Sequence, residues 1–297
     1  MASIRSKITA SIMRQTMKRK LGRSGDVEKE RRFLDKMTSL TSSRKLGRSV
    51  TVGGVPGEWQ LPIKGEPERT ILYLHGGGYV LGSPDSHRDM VGAIADAAQA
   101  RALILDYRLA PETPFPGAVE DAVAAYKALL DEGEAPEKIF IAGDSAGGGL
   151  TAATLVSIKD QGLPNPAGGV CLSPWADLTF SGASMNTKAL DDAMLSKETL
   201  SWMGGLYLAG QDAGNPLASP IFADLSGLPP LLIQVGGDEV LLDDALRLHE
   251  AGRSAGVDVT LEVWDQMMHV WHLMAMAVPE GKLAIKGIGE FMKKHAA

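Results

Sequence analysis

A serine flanked by glycines is the most specific chemical signal in this chain of 297 residues. Gly143, Ser145 and Gly147 form a Gly-x-Ser-x-Gly motif within KIFIAGDSAGGGL, between an apolar run typical of a strand and a small-residue run typical of a helix. A sharp turn of this kind holds the serine hydroxyl at the carboxyl end of a sheet, beside free N–H groups at the start of a helix. The motif therefore predicts a nucleophile, and a glycine-rich helix cap is the alternative interpretation.

A second glycine-rich loop, HGGG at 75–78, follows the apolar run ILYL. Acyl transfer through a tetrahedral intermediate needs several N–H donors aimed at one oxygen, and consecutive glycines can offer theirs without obstruction by side chains. The predicted oxyanion donors are the backbone amides of Gly76, Gly77, Gly78 and Ala146. A phosphate-binding loop is the alternative, but the following YVLG supplies neither a Lys-Ser/Thr pair nor a spaced Gly-x-Gly-x-x-Gly.

A serine nucleophile needs a histidine as base and a carboxylate to orient that histidine. Among six histidines, His269 follows the last predicted strand and is favoured over His272. The sequence GGDEV follows the strand LLIQVG, and Asp238 is preferred there as the acid, with Glu239 as the alternative. The resulting order Ser145, Asp238, His269 is that of α/β-hydrolases.

Short apolar runs alternate with helical patterns from residue 70 onward. Strands are predicted at 71–74, 102–107, 138–143, 169–173, 231–236 and 260–264, and helices at 86–100, 117–133, 147–162, 243–256 and 280–295. This alternation predicts an α/β fold, a mostly parallel central sheet flanked by helices. The irregular stretch 180–225 is interpreted as a cap insertion, joined by residues 1–45, over a core of 46–179 and 226–297. Within the insertion, Trp202, Met203 and Tyr207 are candidate substrate-binding residues.

The first 50 residues hold 14 Lys/Arg and 4 Asp/Glu, although the whole chain has a net charge of −6. An amphipathic helix packed on the acidic body through Ile4, Ile8 and Ile12 is the main interpretation, and organellar targeting and membrane contact are alternatives. No apolar run approaches the length of a membrane span, so neither stable insertion nor a secretory signal is expected. Nucleic acid has no support beyond the charge. A single cysteine, Cys171, excludes an intrachain disulfide and a cysteine metal site, and favours a cytoplasmic location.

Taken together, these motifs resemble the bacterial hormone-sensitive-lipase family of esterases, also called family IV. The resemblance spans about residues 50–297 and is carried by YLHGGGYVLGS, DYRLAPETPFPGAVEDA, GDSAGGGL, SPWADLT, GGDEVLLDD and DQMMHVWH. It implies an α/β-hydrolase core under a cap, a cofactor-free acyl-enzyme mechanism, and short or medium acyl chains. Carried over by position, Ser145 is the nucleophile, Asp238 the acid and His269 the base. Thr113 and Gln266 depart from the family pattern, which often has His and Gly at these places.

The expected function is therefore that of a serine carboxylesterase acting on small esters without metal or other cofactor. A small-molecule receptor on the same fold and hydrolysis of amides by the same residues are the competing functions. Because an open sheet ends in edge strands, with TLEVW a candidate, pairing into a homodimer is a further expectation.

Overall fold

A computed structural model of the protein describes residues 2–22, 24–39, 44 and 47–296. Within this part of the chain, eight strands form one sheet in the order β1-β2-β4-β3-β5-β6-β7-β8. The strands are β1 Arg48–Val52, β2 Val55–Gln60, β3 Arg69–Leu74, β4 Ala100–Leu105, β5 Ile139–Asp144, β6 Gly168–Leu172, β7 Leu231–Gly236 and β8 Val259–Trp264. Strands β3 to β8 pair in parallel, so their carboxyl ends share one edge of the sheet.

Helices cover both faces of this sheet. They are α1 Ile4–Thr16, α2 Val27–Ser39, α3 Pro84–Ala98, α4 Gly117–Asp131, α5 Ala146–Asp160, α6 Ser184–Thr187, α7 Lys197–Leu208, α8 Leu242–Ser254 and α9 Pro279–His295. Helices α3 and α9 bury their apolar residues on one face, and α4, α5 and α8 on the other. The predicted α/β-hydrolase architecture is confirmed, and each predicted strand and helix from residue 70 onward lies within two residues of its observed bounds.

The antiparallel hairpin of β1 and β2 at one edge of the sheet was not among the predicted strands. Gly53 and Gly54 form its turn, both with a positive φ that favours glycine. Since most of β1 is exposed or only half-buried, it lacks the continuous apolar run that marks a buried strand. At the opposite edge lies β8, as predicted for TLEVW.

The N-terminal segment lies against the 180–225 insertion. Arg14 donates a hydrogen bond to the carbonyl of Asp191, and Lys18 donates to the carbonyls of Ala189 and Asp192 at 2.6 and 2.7 Å. The hydroxyl of Thr199, in α7, donates to the carbonyl of Leu21. These contacts suit the predicted two-part cap, whose boundary between residues 45 and 46 lies outside the described residues.

The predicted packing face of the first helix is wrong. Ile4, Ile8 and Ile12 are 78, 55 and 50% exposed, whereas Met13 and Met17 are buried. A spacing of i, i+4, i+8 places side chains on one side of a helix but does not say whether that side faces the protein. The N-terminal segment carries a second apolar row, and the methionine row packs inward. In the described part of the chain, no helix is both long and apolar enough to span a membrane.

Candidate active site

Ser145 occupies the sharp turn between β5 and α5. Its backbone has φ 55° and ψ −121°, a conformation that L-residues rarely adopt, and its amide donates to the carbonyl of Leu172 at 2.8 Å. Gly147 passes so close to the carbonyls of Leu74 and His75 that a Cβ there would collide with both. The glycine therefore permits the turn that holds the serine side chain at the carboxyl edge of the sheet.

His269 lies on the loop after β8 and reaches Ser145 across this edge. Its Nε2 is 3.0 Å from the Ser145 Oγ, and its ring is almost fully buried. The loop turns at Gln266, which has a φ of 57°. Glycine adopts this conformation most readily, which accounts for the family preference from which Gln266 departs. The structure thus brings together the predicted serine and the preferred histidine.

Glu239, rather than Asp238 as predicted for the acid, faces the histidine. The Glu239 Oε2 is 2.7 Å from the His269 Nδ1, and Glu239 is fully buried. Asp238 instead points toward Lys188 at 4.0 Å, with its side chain 36% exposed. The tight turn after β7 directs the two neighbouring side chains to different places. Sequence alone gave no means of telling which of two adjacent carboxylates points inward.

The other oxygen of Glu239 is held by two donors. The Ser173 hydroxyl and the Gly236 amide each donate to the Glu239 Oε1 at 2.6 Å. Ser173 was not among the predicted site residues, although it opens the SPWADLT motif immediately after β6. Its position at the carboxyl end of a parallel strand was the available signal.

The pKa of His269 reflects two opposing causes. Burial lowers it, but the charge and hydrogen bond of Glu239, together with the charges of two other carboxylates, outweigh burial, so the pKa is raised. In contrast, burial lowers the pKa of His272 to about 3, and the Nε2 of this residue is bound to the Gln234 amide oxygen at 2.8 Å. His272 therefore makes a structural hydrogen bond behind the site. His269 lies beside a carboxylate that favours its protonated form, as a catalytic base requires.

Three of the four predicted oxyanion donors remain available. The N–H groups of Gly77, Gly78 and Ala146 have no acceptor among the described residues. The fourth predicted donor, the Gly76 amide, donates instead to the Asp144 Oδ1 at 3.1 Å.

Asp144 fixes the glycine loop from behind. Besides the Gly76 amide, its carboxylate accepts the Tyr73 hydroxyl at 2.8 Å and lies 3.3 Å from the His87 Nε2. Burial raises the pKa of Asp144, but these neighbours together lower it below the ordinary range. The ionised carboxylate therefore stays where it can hold the loop next to Ser145.

The three candidate substrate-binding residues have different surroundings. Met203 lies against Gly78, where a Cβ would strike its sulfur, so it borders the glycine loop. Tyr207 stacks on Tyr79 with ring centroids 3.7 Å apart and is buried in the apolar core. The indole of Trp202 lies beside Gly22, toward the N-terminal segment. Only Met203 is thus placed next to the candidate oxyanion site.

No cluster of three or more potential metal ligands occurs among the described residues.

Comparisons with known proteins identify the family of the chain. Residues 71–273 match a family profile described as alpha/beta hydrolase fold. An acetyl-hydrolase from Streptomyces hygroscopicus is 50% identical, with 91% of each chain covered. An esterase from Acinetobacter venetianus is 37% identical over 82% of this chain and 80% of its own length.

Solved structures extend the match to the whole fold. The crystal structure of an esterase from the bacterial hormone-sensitive lipase family superposes with a TM-score of 0.93 at 46% identity, covering 100% of both chains. A hormone-sensitive lipase from a metagenome library gives a TM-score of 0.93 at 39% identity, covering 100% of this chain and 99% of the other. The chain therefore belongs to the bacterial hormone-sensitive lipase family of the α/β-hydrolase fold, and it is a carboxylic ester hydrolase.

Proposed function

We propose that the protein hydrolyses short- to medium-chain carboxylic esters through Ser145, His269 and Glu239. One observation carries this proposal, the continuous hydrogen-bonded path from the Ser145 Oγ through the His269 ring to the Glu239 carboxylate. Each member of the path is at least nine-tenths buried, which strengthens the electrostatic coupling between them.

In the first half of the reaction, the Ser145 Oγ attacks the ester carbonyl carbon while the His269 Nε2 takes the hydroxyl proton. The resulting imidazolium is stabilised by Glu239. When the tetrahedral intermediate collapses, the bond to the alkoxy oxygen breaks and His269 returns its proton to the leaving alcohol. An acyl-enzyme on Ser145 remains.

Water completes the cycle by the same route. His269 takes a proton from the water molecule as its oxygen attacks the acyl carbon, and then returns that proton to the Ser145 Oγ as the carboxylic acid forms. In both halves the negative oxygen faces the amides of Gly77, Gly78 and Ala146. Removing one donor of this kind typically costs about 10²–10³-fold in rate.

Two observations support small acyl groups. Met203 lies against Gly78, and so narrows the space beside the oxyanion donors. A relative with 50% identity bears the name acetyl-hydrolase. Contacts of Arg14 in α1 and of Lys18 just after it with the 180–225 insertion support a cap formed by both segments over this end of the sheet.

A series of p-nitrophenyl esters tests the proposal. Acetate, butyrate and octanoate should be cleaved readily, and palmitate at least about tenfold more slowly in kcat/KM, because the long chain exceeds the covered space. Initial rates from released nitrophenol measure this order.

The same esters, together with a matched pair of amide and ester, distinguish the competing functions. A receptor would bind these esters without turnover. An amidase would cleave butyranilide as fast as the matched phenyl butyrate. Either result, or fastest cleavage of palmitate, contradicts the proposed function.

A further inference from the structure

The outer side of α1 carries three exposed isoleucines, Ile4, Ile8 and Ile12, here called the isoleucine row. Single exposed apolar residues are ordinary on soluble proteins. These three are one helical turn apart and form a continuous strip about 12 Å long, at 1.5 Å per residue. The strip is an apolar surface with no partner inside the described structure.

Positive charge surrounds the isoleucine row. Residues 1–25 contain seven Lys or Arg and no Asp or Glu. Arg5, Lys7 and Arg19 form no ion pair with any residue that the structure describes. Arg14 and Lys18 donate to backbone carbonyls of the 180–225 insertion and form no ion pair among the described residues. The surface therefore combines an apolar strip with an excess of cations.

The inner side of α1 faces the loops that carry the candidate active site. The Ser6 hydroxyl lies 3.5 Å from the sulfur of Met267, two residues before His269. Lys18 binds the carbonyl of Asp192, whose carboxylate accepts the amide of Val240, next to Glu239. Because α1 contacts a loop at the carboxyl edge of the sheet and the isoleucine row lies on its exposed side, that row faces outward at the same end of the molecule as Ser145.

We propose that the isoleucine row and its basic surroundings dock on an anionic lipid–water interface. Isoleucine side chains would enter the boundary between headgroups and acyl chains, while the cations pair with lipid phosphates. A nucleic acid would use the charge but not the isoleucines. A second copy of α1 would bring like charges together. Docking in this way turns the active-site end of the protein toward the membrane, where apolar esters accumulate.

Co-sedimentation with vesicles tests the docking without any ester hydrolysis. The wild-type protein should bind vesicles of phosphatidylcholine and phosphatidylglycerol in equal parts, bind pure phosphatidylcholine weakly, and lose binding as salt rises. The triple variant Ile4→Ser/Ile8→Ser/Ile12→Ser should lower the partition coefficient at least about tenfold, since little apolar area then enters the interface.

Leu61→Ser/Ile63→Ser is the matched control. Both residues are 60% or more exposed, and they follow Gln60, which pairs with Ala102 toward the amino end of β4, away from the active-site edge. This variant should bind vesicles like the wild type. A second test variant, Arg5→Gln/Lys7→Gln/Arg19→Gln, should lose the preference for anionic vesicles.

Three results would overturn the proposal. The wild type could fail to sediment with anionic vesicles at low salt. Both test variants could bind as the wild type does. Light scattering could show a dimer that the triple serine variant converts to a monomer without changing vesicle binding, in which case the isoleucine row is an interface between copies. Thermal melting of each variant checks that the fold is intact.

A separate observation concerns Ser173, which joins three loops behind the candidate triad. Its hydroxyl donates to the Glu239 Oε1 at 2.6 Å and accepts the amide of Val270 at 3.1 Å, while its own amide donates to the Gln234 carbonyl. The residue is fully buried, with a φ of 45°. One hydroxyl thus contacts both the acid and the peptide that follows the base.

We infer that Ser173 is a positioning residue for the proposed triad, an inference that rests on the proposed function. By holding the Oε1, it leaves the Glu239 Oε2 directed at His269. By accepting the Val270 amide, it fixes the loop on which His269 lies. Such support keeps a reacting group within the narrow geometry that catalysis needs.

Two variants that remove the hydroxyl test this role. Ser173→Ala and Ser173→Gly should each lower kcat about tenfold or more, with KM nearly unchanged. Glycine also relieves the positive φ, so an equal loss in both variants assigns the effect to the hydroxyl rather than to the backbone. In a Glu239→Gln background, Ser173→Ala should cost little more, because it acts through the carboxylate.

Wild-type kcat in both variants, or a full additional loss in the Glu239→Gln background, would overturn the role of Ser173. Neither result would contradict the proposed function, which is tested separately by the ester series and by Ser145→Ala.

Discussion

Ser145→Ala is expected to lower kcat for p-nitrophenyl butyrate by about 10⁶-fold, the loss seen when a serine hydrolase of this type loses its nucleophile. The Oγ is the only atom of the side chain that can form the acyl-enzyme, and a methyl group cannot replace it. Because the flanking glycines and the position of α5 do not depend on that oxygen, the fold and ester binding should persist. Assays of ester hydrolysis with the purified protein measure the loss of kcat. Intact-mass spectrometry after treatment with an alkyl phosphonate probe measures whether the nucleophile is still present.

Ser157→Ala is the matched control for this prediction. Ser157 lies on α5, the same helix that begins after Ser145, and its hydroxyl accepts a hydrogen bond from the Gln161 side chain. The Ser157→Ala variant should react with one phosphonate molecule per chain and hydrolyse the ester at the wild-type rate. Labelling or hydrolysis that survives in Ser145→Ala at the wild-type level would remove the proposed mechanism.

The parallel part of the fold could be predicted because its signals are local. Strands such as Leu231–Gly236 are buried on both faces, so each reads as an apolar run with turn residues after it. The Gly-x-Ser-x-Gly motif likewise predicts the sharp turn between strand and helix, since only glycine fits at Gly147 beside the carbonyl of Leu74. Both features follow from residues close together in the sequence.

Orientation was harder to predict than position. Asp238 and Glu239 both follow β7, and the choice between them depends on Ser173 and His269, which come from other loops. A similar limit applies to Gly76, whose amide is taken by the distant Asp144. In each case a tertiary contact decides which of two neighbouring groups faces the candidate site. That contact cannot be predicted from the spacing of residues along the chain.

The side of α1 that faces the protein was unpredictable for the same reason. Its isoleucine row and its methionine row are both apolar, and local spacing favours neither as the packing face. The structure buries the side that carries Met13 and Ser6, and Ser6 contacts Met267 in the loop of His269. The isoleucine row lies on the opposite, exposed side.

Glu239→Gln and Asp238→Asn, two neighbouring substitutions that each remove one charge, should differ sharply in effect. Glu239→Gln is expected to lower kcat by about 10³–10⁴-fold, because an amide neither stabilises the imidazolium nor enforces the correct tautomer of His269. Asp238→Asn should stay within about a factor of two of the wild type, as expected for a partly exposed carboxylate outside the hydrogen-bonded path. Steady-state kinetics on one ester compare the three proteins.

The pH dependence of kcat/KM compares Glu239→Gln and Asp238→Asn by an independent measurement. His269 must be neutral to accept the Ser145 proton, so kcat/KM falls as the pH drops through the pKa of His269. Burial lowers that pKa and the Glu239 carboxylate raises it above its ordinary value of 6.5. Removing the carboxylate charge takes away the largest of the causes that raise this pKa, so the acidic limb of Glu239→Gln should move to lower pH, while that of Asp238→Asn should match the wild type. A limb that moves in Asp238→Asn and not in Glu239→Gln would return the role of the acid to Asp238 and contradict the geometry around His269.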